Sequence, residues 1–267
     1  MRVLMIGCGN MGGAMLAGWL AGGFPASAFT VVDPFLAAAP DGVTLLRDLP
    51  AADADGFDAV LLGFKPQQWA EASPPLAPLC GPGTVVLSIL AGVELDTLRG
   101  RFPMAGGIVR IMPNLAAALG KSPMGLFGAV DAVGRALVDR LMAPLGQAEW
   151  VANEADMHLI TALAGSGPAF VYRVIDALAT GAAALGLPRD QADRLALTMV
   201  EGAAALAVRS PESPGQLADR VASPGGTTRA GLDVLDADGR LLALIEETLR
   251  AARDRSAEMS AEARGKG

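Results

Sequence analysis

Val3-Leu4-Met5-Ile6-Gly7-Cys8-Gly9-Asn10-Met11-Gly12 is the stretch that decides the fold. Its four leading apolar residues read as a short buried strand. The glycines at 7, 9 and 12 then fall in the pattern G-x-G-x-x-G. A helix pattern runs from about Met11 to Ala21, and a second apolar strand, Phe29 to Val32, ends in Asp33. This order is the fingerprint of a dinucleotide-binding unit. Gly7 permits the tight turn. Gly9 has no Cβ, so a pyrophosphate can approach the backbone. Gly12 lets the helix pack close to the strand. The free N–H groups at the helix start, with the helix dipole, attract phosphate charge. Gly7, Gly9, Asn10, Met11 and Gly12 are therefore expected to hold the cofactor.

Working outward, Val3 to Val32 carries no charge and follows Arg2, which superficially resembles a signal peptide or membrane span. Glycines at 7, 9, 12, 13, 18, 22 and 23 interrupt it, so a buried strand–turn–helix explains it better, and no membrane association is expected. The chain has 267 residues and is 52% hydrophobic, enough for two domains with sizeable cores. A net charge of −7 leaves no basic footprint for nucleic acid. Cys8 and Cys80 are too few for a disulfide framework, which fits a reducing cytoplasm. One histidine, His158, argues against a histidine-based zinc site or a Ser-His-Asp triad, and no metal site is expected.

After Asp33 the apolar strands continue at Val43 to Leu46, Phe57 to Phe64, Thr84 to Ile89, Gly107 to Met112, Met124 to Phe127 and Ala148 to Val151. Asp48 to Asp58 reads as a loop or short helix, and Gln67 to Leu79 as a helix-like segment containing prolines. Helix patterns cover Leu95 to Arg101 and Asp131 to Ala143. Strands alternating with helices predict an α/β domain with a mostly parallel sheet. From Asn153 only helix periodicity remains: Glu154 to Leu185, interrupted at Gly165-Ser166-Gly167-Pro168, then Arg189 to Ala207, a segment to Val221, Thr227 to Leu235, and Gly239 to about Met259, with a frayed tail to Gly267. The expected layout is a Rossmann-type domain over 1–152 and an all-helical domain over 153–267. These helices are apolar nearly all round and need burial on more than one side, so a homodimer or higher homo-oligomer is expected.

A carboxylate at Asp33 accepts hydrogen bonds from adenosine ribose hydroxyls and repels a 2′-phosphate. Phe35-Leu36-Ala37 supply no cation, so NADH is favoured over NADPH. The plainer alternative is that Asp33 only begins a turn. Gly63-Phe64-Lys65-Pro66, Ser88 to Gly92 with Ala91, and Met112-Pro113-Asn114 lie at strand exits, the edge where open α/β sheets bind ligands. Lys65 and Asn114 are polar groups placed to meet a ribose or carboxamide. Ser223-Pro224-Gly225-Gly226-Thr227-Thr228 leads into a helix, and its exposed N–H groups suit a substrate carboxylate. A plain N-cap would use the same residue types. Pro168 predicts a kink within Gly165 to Pro168. His158 reads as a packed residue or a general acid. Arg220 and Arg229 could meet an anion or simply be solvated.

At these residues the chain resembles pyrroline-5-carboxylate reductase over nearly its whole length. The matching stretches are Gly7 to Gly12, Lys65-Pro66, Ser88 to Val93, Met112-Pro113-Asn114, Ala164 to Phe170 and, most specifically, Ser223 to Thr228 with Gly231-Leu232 and Leu235. The resemblance implies reduction of the cyclic imine 1-pyrroline-5-carboxylate to L-proline by NADH or NADPH, with a Rossmann domain joined to a helical dimerisation domain. It implies that the Gly225, Gly226 and Thr227 amides hold the substrate carboxylate, with Ser223 in the same turn, and that Thr228 hydrogen-bonds the ring nitrogen as the catalytic residue. Two features depart from the pattern. Leu115-Ala116 follow Asn114 where Thr-Pro is usual, and Asp33 stands where Ser or Thr is common. A reductase of a related cyclic imine carboxylate and a non-catalytic NAD(H)-binding protein are the rival readings.

Overall fold

The computed structural model describes residues 1–51 and 56–264. Part of the expected loop or short helix at Asp48 to Asp58, and the frayed tail at 265–267, lie outside the described residues. Among the described residues, eight strands form one sheet: β1 Val3–Ile6, β2 Phe29–Val32, β3 Thr44–Leu46, β4 Ala59–Leu62, β5 Val85–Ser88, β6 Gly107–Met112, β7 Ser122–Ala129 and β8 Gly146–Trp150. Their order is β3-β2-β1-β4-β5-β6-β7-β8. All neighbours are parallel except β6 and β7. The chain steps outward from β1 through β2 to β3, then returns to β4 on the other side of β1. That reversal opens a crevice at the carboxyl ends of β1 and β4, where doubly wound sheets bind ligands.

Alternation along β1 divides the core. Val3 and Met5 belong to one buried cluster with Met15, Leu16 and Trp19 of helix α1, Asn10–Ala21. Leu4 and Ile6 belong to the cluster on the other face, with Val60, Leu62 and Leu98. Both faces are covered, so the strands read as unbroken apolar runs. Trp19 fixes α1 by donating its Nε1–H to Leu141 O at 2.6 Å and stacking on Phe29 with ring centroids 5.2 Å apart.

The expected helix-like segment after β4 is broken into a turn at Pro66–Gln68, the four-residue α2 Trp69–Ala72, and a tight helical turn at Pro74–Leu79. Its prolines cannot donate to a continuous α-helix. Helices α3 Leu95–Arg101 and α4 Ala132–Met142 follow as read. β7 runs over eight residues rather than the four expected, because it pairs with both β6 and β8.

Beyond β8 come α5 Asp156–Ile160, a π-helical turn Thr161–Gly165, α6 Gly167–Ala184, α7 Arg189–Arg209, α8 Pro214–Arg220, α9 Thr227–Asp236 and α10 Arg240–Arg264. The interruption expected at Gly165 to Pro168 is therefore a π turn followed by a fresh helix start. Pro168 lies in the first turn of α6, where its missing N–H costs nothing. Contacts divide the chain into Met1–Gly165 with Ala251–Gly267, and Ser166–Arg250. The division falls after Gly165 rather than at the expected 152/153, and the end of α10 groups with the first unit.

Within the second unit, α6 and α7 bury only a small cluster of Ala179, Ala192 and Ala196. Tyr172, Leu178, Leu197, Met199 and Leu206 stay exposed. So much open apolar surface marks a protein–protein interface. No helix among the described residues is long and apolar enough to cross a membrane.

Candidate active site

The glycine turn after β1 is built by close backbone approach. Gly7 has φ +88°, a region that favours glycine. A Cβ on Gly7 would lie 2.9 Å from Gly63 O, and one on Gly63 would lie 2.8 Å from Gly7 O. The ends of β1 and β4 touch across the crevice only because both residues are glycine. A Cβ on Gly12 would lie 2.8 Å from Gly7 O, so that glycine seats α1 on the strand. Gly9 differs: a Cβ there meets nothing within 4 Å. Among the described residues nothing requires glycine at 9, whereas an approaching ligand would. Gly9 is the N-cap of α1 and carries no side-chain cap, and the first turn holds no acid. The leading N–H groups, on Asn10, Met11 and Gly12, have no intrahelical acceptors and suit a pyrophosphate.

Asp33, at the end of β2, is tied down on both carboxylate oxygens. Oδ2 accepts the Cys8 N–H at 2.8 Å, and Oδ1 accepts those of Phe35 at 2.8 Å and Leu36 at 3.1 Å. Partial burial pushes this carboxyl up. The three backbone donors and the nearby Arg47 charge outweigh it and hold the group below the usual carboxylate range. Arg47 is the cation that reading Phe35-Leu36-Ala37 alone misses. It follows β3 and comes back to the loop, donating from one terminal nitrogen to Asp33 O at 2.9 Å and Leu36 O at 2.6 Å. The Cys8 thiol is pushed up by burial and then by the Asp33 charge, and burial pushes Cys80 up to about 12.

The other expected cofactor residues gather at the exits of β4 and β5. Lys65 begins the turn after β4, where its N–H donates to Gln68 Oε1 at 3.1 Å, and Phe64 packs against the second core cluster. Pro66 and Ala91 share a cavity of about 330 Å³ with Trp69, Gly92, Arg101 and Met259. Asn114 was expected to meet a ribose or carboxamide, but it is buried and engaged within the protein. Its Nδ2 donates to Ala164 O at 2.8 Å, its Oδ1 accepts the Ala116 N–H at 2.9 Å, and its own N–H donates to Ser122 Oγ at 2.9 Å. The amide thus ties β6 to the π turn, whose irregular carbonyl needs a donor. His158 is also engaged, with its Nδ1 3.0 Å from Ser256 Oγ.

The glycine–threonine turn belongs to the second unit. Ser223-Pro224-Gly225-Gly226 has the type II pattern: proline second, and glycine third with φ +73°. The Gly226 N–H closes the turn on Ser223 O at 3.0 Å. Among the amides expected to meet a carboxylate, Gly226's is therefore spent inside the turn. The Thr227 and Thr228 N–H groups open α9, whose N-cap carries no side-chain hydrogen bond. Among the described residues, they and the Gly225 N–H meet no acceptor, a state that suits an anion. Thr227 and Thr228 are exposed. Arg229 is held by Asp219 at 2.9 Å, and Arg220 by Glu212 at 2.5 Å. Both arginines brace the turn's flanks.

A Pseudomonas aeruginosa pyrroline-5-carboxylate reductase is 35% identical over 266 residues, covering 97% of each chain. The chain belongs to the pyrroline-5-carboxylate reductase family. The family model for pyrroline-5-carboxylate reductase dimerisation matches residues 154–259. The pyrroline-5-carboxylate reductase structure from Coxiella burnetii superimposes with a TM-score of 0.89 at 31% identity, covering 97% of this chain and 98% of that one. The Plasmodium falciparum pyrroline carboxylate reductase, solved with NADP bound, shares the fold at a TM-score of 0.80 and 22% identity, covering 97% and 98%. This reductase is an NAD(P)H-dependent oxidoreductase of proline biosynthesis. Its helical region carries the family's dimerisation domain, so its exposed apolar helices meet a second copy in a homo-oligomer.

Proposed function

We propose that this reductase converts 1-pyrroline-5-carboxylate to L-proline with NADH as its preferred donor, in a reducing cytoplasm. The observation that carries the substrate reading is the glycine–threonine turn, with free amides at Gly225, Thr227 and Thr228 beside the exposed Thr228 hydroxyl. The substrate carboxylate would bind these amides, with Ser223 and Gly226 shaping the turn. Thr228 would hydrogen-bond the ring nitrogen and orient the imine carbon, which is catalysis by positioning. A protonated imine is already electrophilic, so no strong protein acid is needed. The cofactor, when bound, supplies the hydride. Gly7 to Gly12 would hold its phosphates, and Gly63 to Pro66 with Ala91 would line its nicotinamide side. Residues 1–152 would serve as the cofactor domain and 153–267 as the dimerisation and substrate domain.

Asp33 supports the choice of NADH. A carboxylate at the end of β2 would meet the adenosine ribose and repel a 2′-phosphate. Arg47 is the nearby cation, and its hydrogen bonds run to the Asp33, Leu36 and Ala37 carbonyls of the same loop. The test is kcat/KM for pyrroline-5-carboxylate with each nucleotide, and for a six-membered cyclic imine carboxylate beside it. A higher kcat/KM with NADPH would overturn the cofactor preference. A higher kcat/KM for the six-membered ring would overturn the substrate.

A further inference from the structure

We propose that Asp33 is a positioning residue for the phosphate-binding turn, and that Arg47 locks it in place. The inference rests on the cofactor reading above and deepens it. The Cys8 amide lies between Gly7 and Gly9, and its hydrogen bond to Asp33 Oδ2 is 2.8 Å. The turn is pinned on one side, where Gly7 meets Gly63. On the other side nothing approaches the Cβ position of Gly9 within 4 Å. The Cys8 side chain is seated in the core and Gly9 O accepts the Gly13 N–H at 2.7 Å, so what the carboxylate adds is the orientation of the Cys8 amide between them. Asp33 is itself fixed twice. Its Oδ1 gathers the Phe35 and Leu36 amides, and Arg47 gathers the Asp33 and Leu36 carbonyls. Its own N–H donates to Leu46 O at 3.1 Å, next to Arg47. The loop at the ribose end and the turn at the phosphate end thus move as one body.

Charge and geometry pull in opposite directions here. A carboxylate close to a pyrophosphate is repulsive, so if charge ruled, neutralising Asp33 would strengthen phosphate binding. If positioning rules, neutralising it weakens phosphate binding. In Asp33→Asn only one end of the side chain can accept, so either the Cys8 amide or the Phe35–Leu36 pair loses its acceptor.

The experiment measures inhibition constants of adenosine and of ADP against NADH, in the full-length enzyme and its variants. Adenosine reports the ribose end alone, and ADP adds the two phosphates. The ratio of the adenosine constant to the ADP constant is the gain from phosphate. In Asp33→Asn this ratio is expected to fall about tenfold, the scale of one charge-assisted hydrogen bond. Amide exchange at Cys8 is expected to quicken. An unchanged ratio, meaning a ribose contact only, or a raised ratio, meaning charge only, overturns the proposal. Arg47→Lys keeps the charge but loses the planar fork, and it decides the matter if Asp33→Asn fails to fold. The ratio is expected to fall there too, and an unchanged ratio overturns the lock. Failure of ADP to compete with NADH in the unmodified enzyme would instead overturn the cofactor reading itself.

Discussion

The Arg110 guanidinium on β6 meets Glu154 Oε1 at 2.5 Å, and the same oxygen accepts the Leu95 N–H at 2.7 Å. Arg110 is only 4% exposed, on a strand otherwise packed with Ile108, Val109 and Ile111. One carboxylate, on the first residue of the family's dimerisation match, thus holds an interior strand of the sheet and the start of α3. A buried charge deprived of its partner is expensive, whereas replacing the whole pair by apolar groups is often neutral. Glu154→Ala is expected to destabilise by about 3 kcal/mol. The double variant Arg110→Met, Glu154→Leu should recover most of that loss. Urea denaturation of the three proteins checks it, and equal midpoints for the single and double variants would refute the pairing.

The glycines of the turn separate into packing and ligand roles. Gly12→Ala drives a Cβ to 2.8 Å from Gly7 O, while Gly9→Ala enters open space. Gly12→Ala should lower the melting temperature by several degrees, corresponding to an overpacking cost of about 1–3 kcal/mol. Gly9→Ala should leave the melting temperature unchanged and raise the KM for NADH at least tenfold. A normal KM in a stable Gly9→Ala protein would show that no ligand approaches there.

What was legible in the sequence is the part fixed by short-range pattern. From β1 to Asp33 every element is local, and strand, glycine turn, helix and acid follow within 33 residues. Arg47 is not legible there, because its contact with the Asp33 loop depends on β3 pairing beside β2. No spacing rule encodes that return. The partners of Asn114 are hidden for a related reason. A polar residue at a strand exit looks available, and only the π turn 50 residues on, with its Ala164 carbonyl, shows what it serves. A glycine turn advertises free N–H groups, so the sequence alone counts the Gly226 amide among them. Pro224 and the positive φ of Gly225 instead close a type II turn that consumes it.

Both thiols are held protonated by burial, Cys80 with a pKa of about 12. The thiolate is the reactive form. Native protein at pH 8 should therefore react with iodoacetamide much more slowly than urea-unfolded protein, at both positions. Mass spectrometry of timed alkylations checks this. Rapid native labelling of Cys80 would contradict its burial.

The Asp33 carboxyl has a pKa lowered from 3.8 in the folded protein. Its contribution to stability is then full above about pH 4 and is lost as pH falls through the lower folded value. The difference in urea midpoint between wild type and Asp33→Asn should hold constant from pH 7 to about 4 and shrink below that. A difference that stays constant at still lower pH would mean that the folded group titrates no differently from the unfolded one.

Thr228 carries an exposed hydroxyl at the start of α9 and caps nothing there, since the N-cap is Gly226 and makes no side-chain bond. Removing that hydroxyl should therefore cost little stability. Thr228→Ala is expected to lower kcat/KM for pyrroline-5-carboxylate by about a hundredfold to a thousandfold, the range for losing one donor aimed at the reacting centre. The dissociation constant for NADH should not change. Thr228→Ser keeps the hydroxyl and should retain most activity, which separates hydrogen bonding from the packing of the lost methyl. Steady-state kinetics with NADH titrations decide between these outcomes. An active Thr228→Ala protein would move the ring-nitrogen contact to another group.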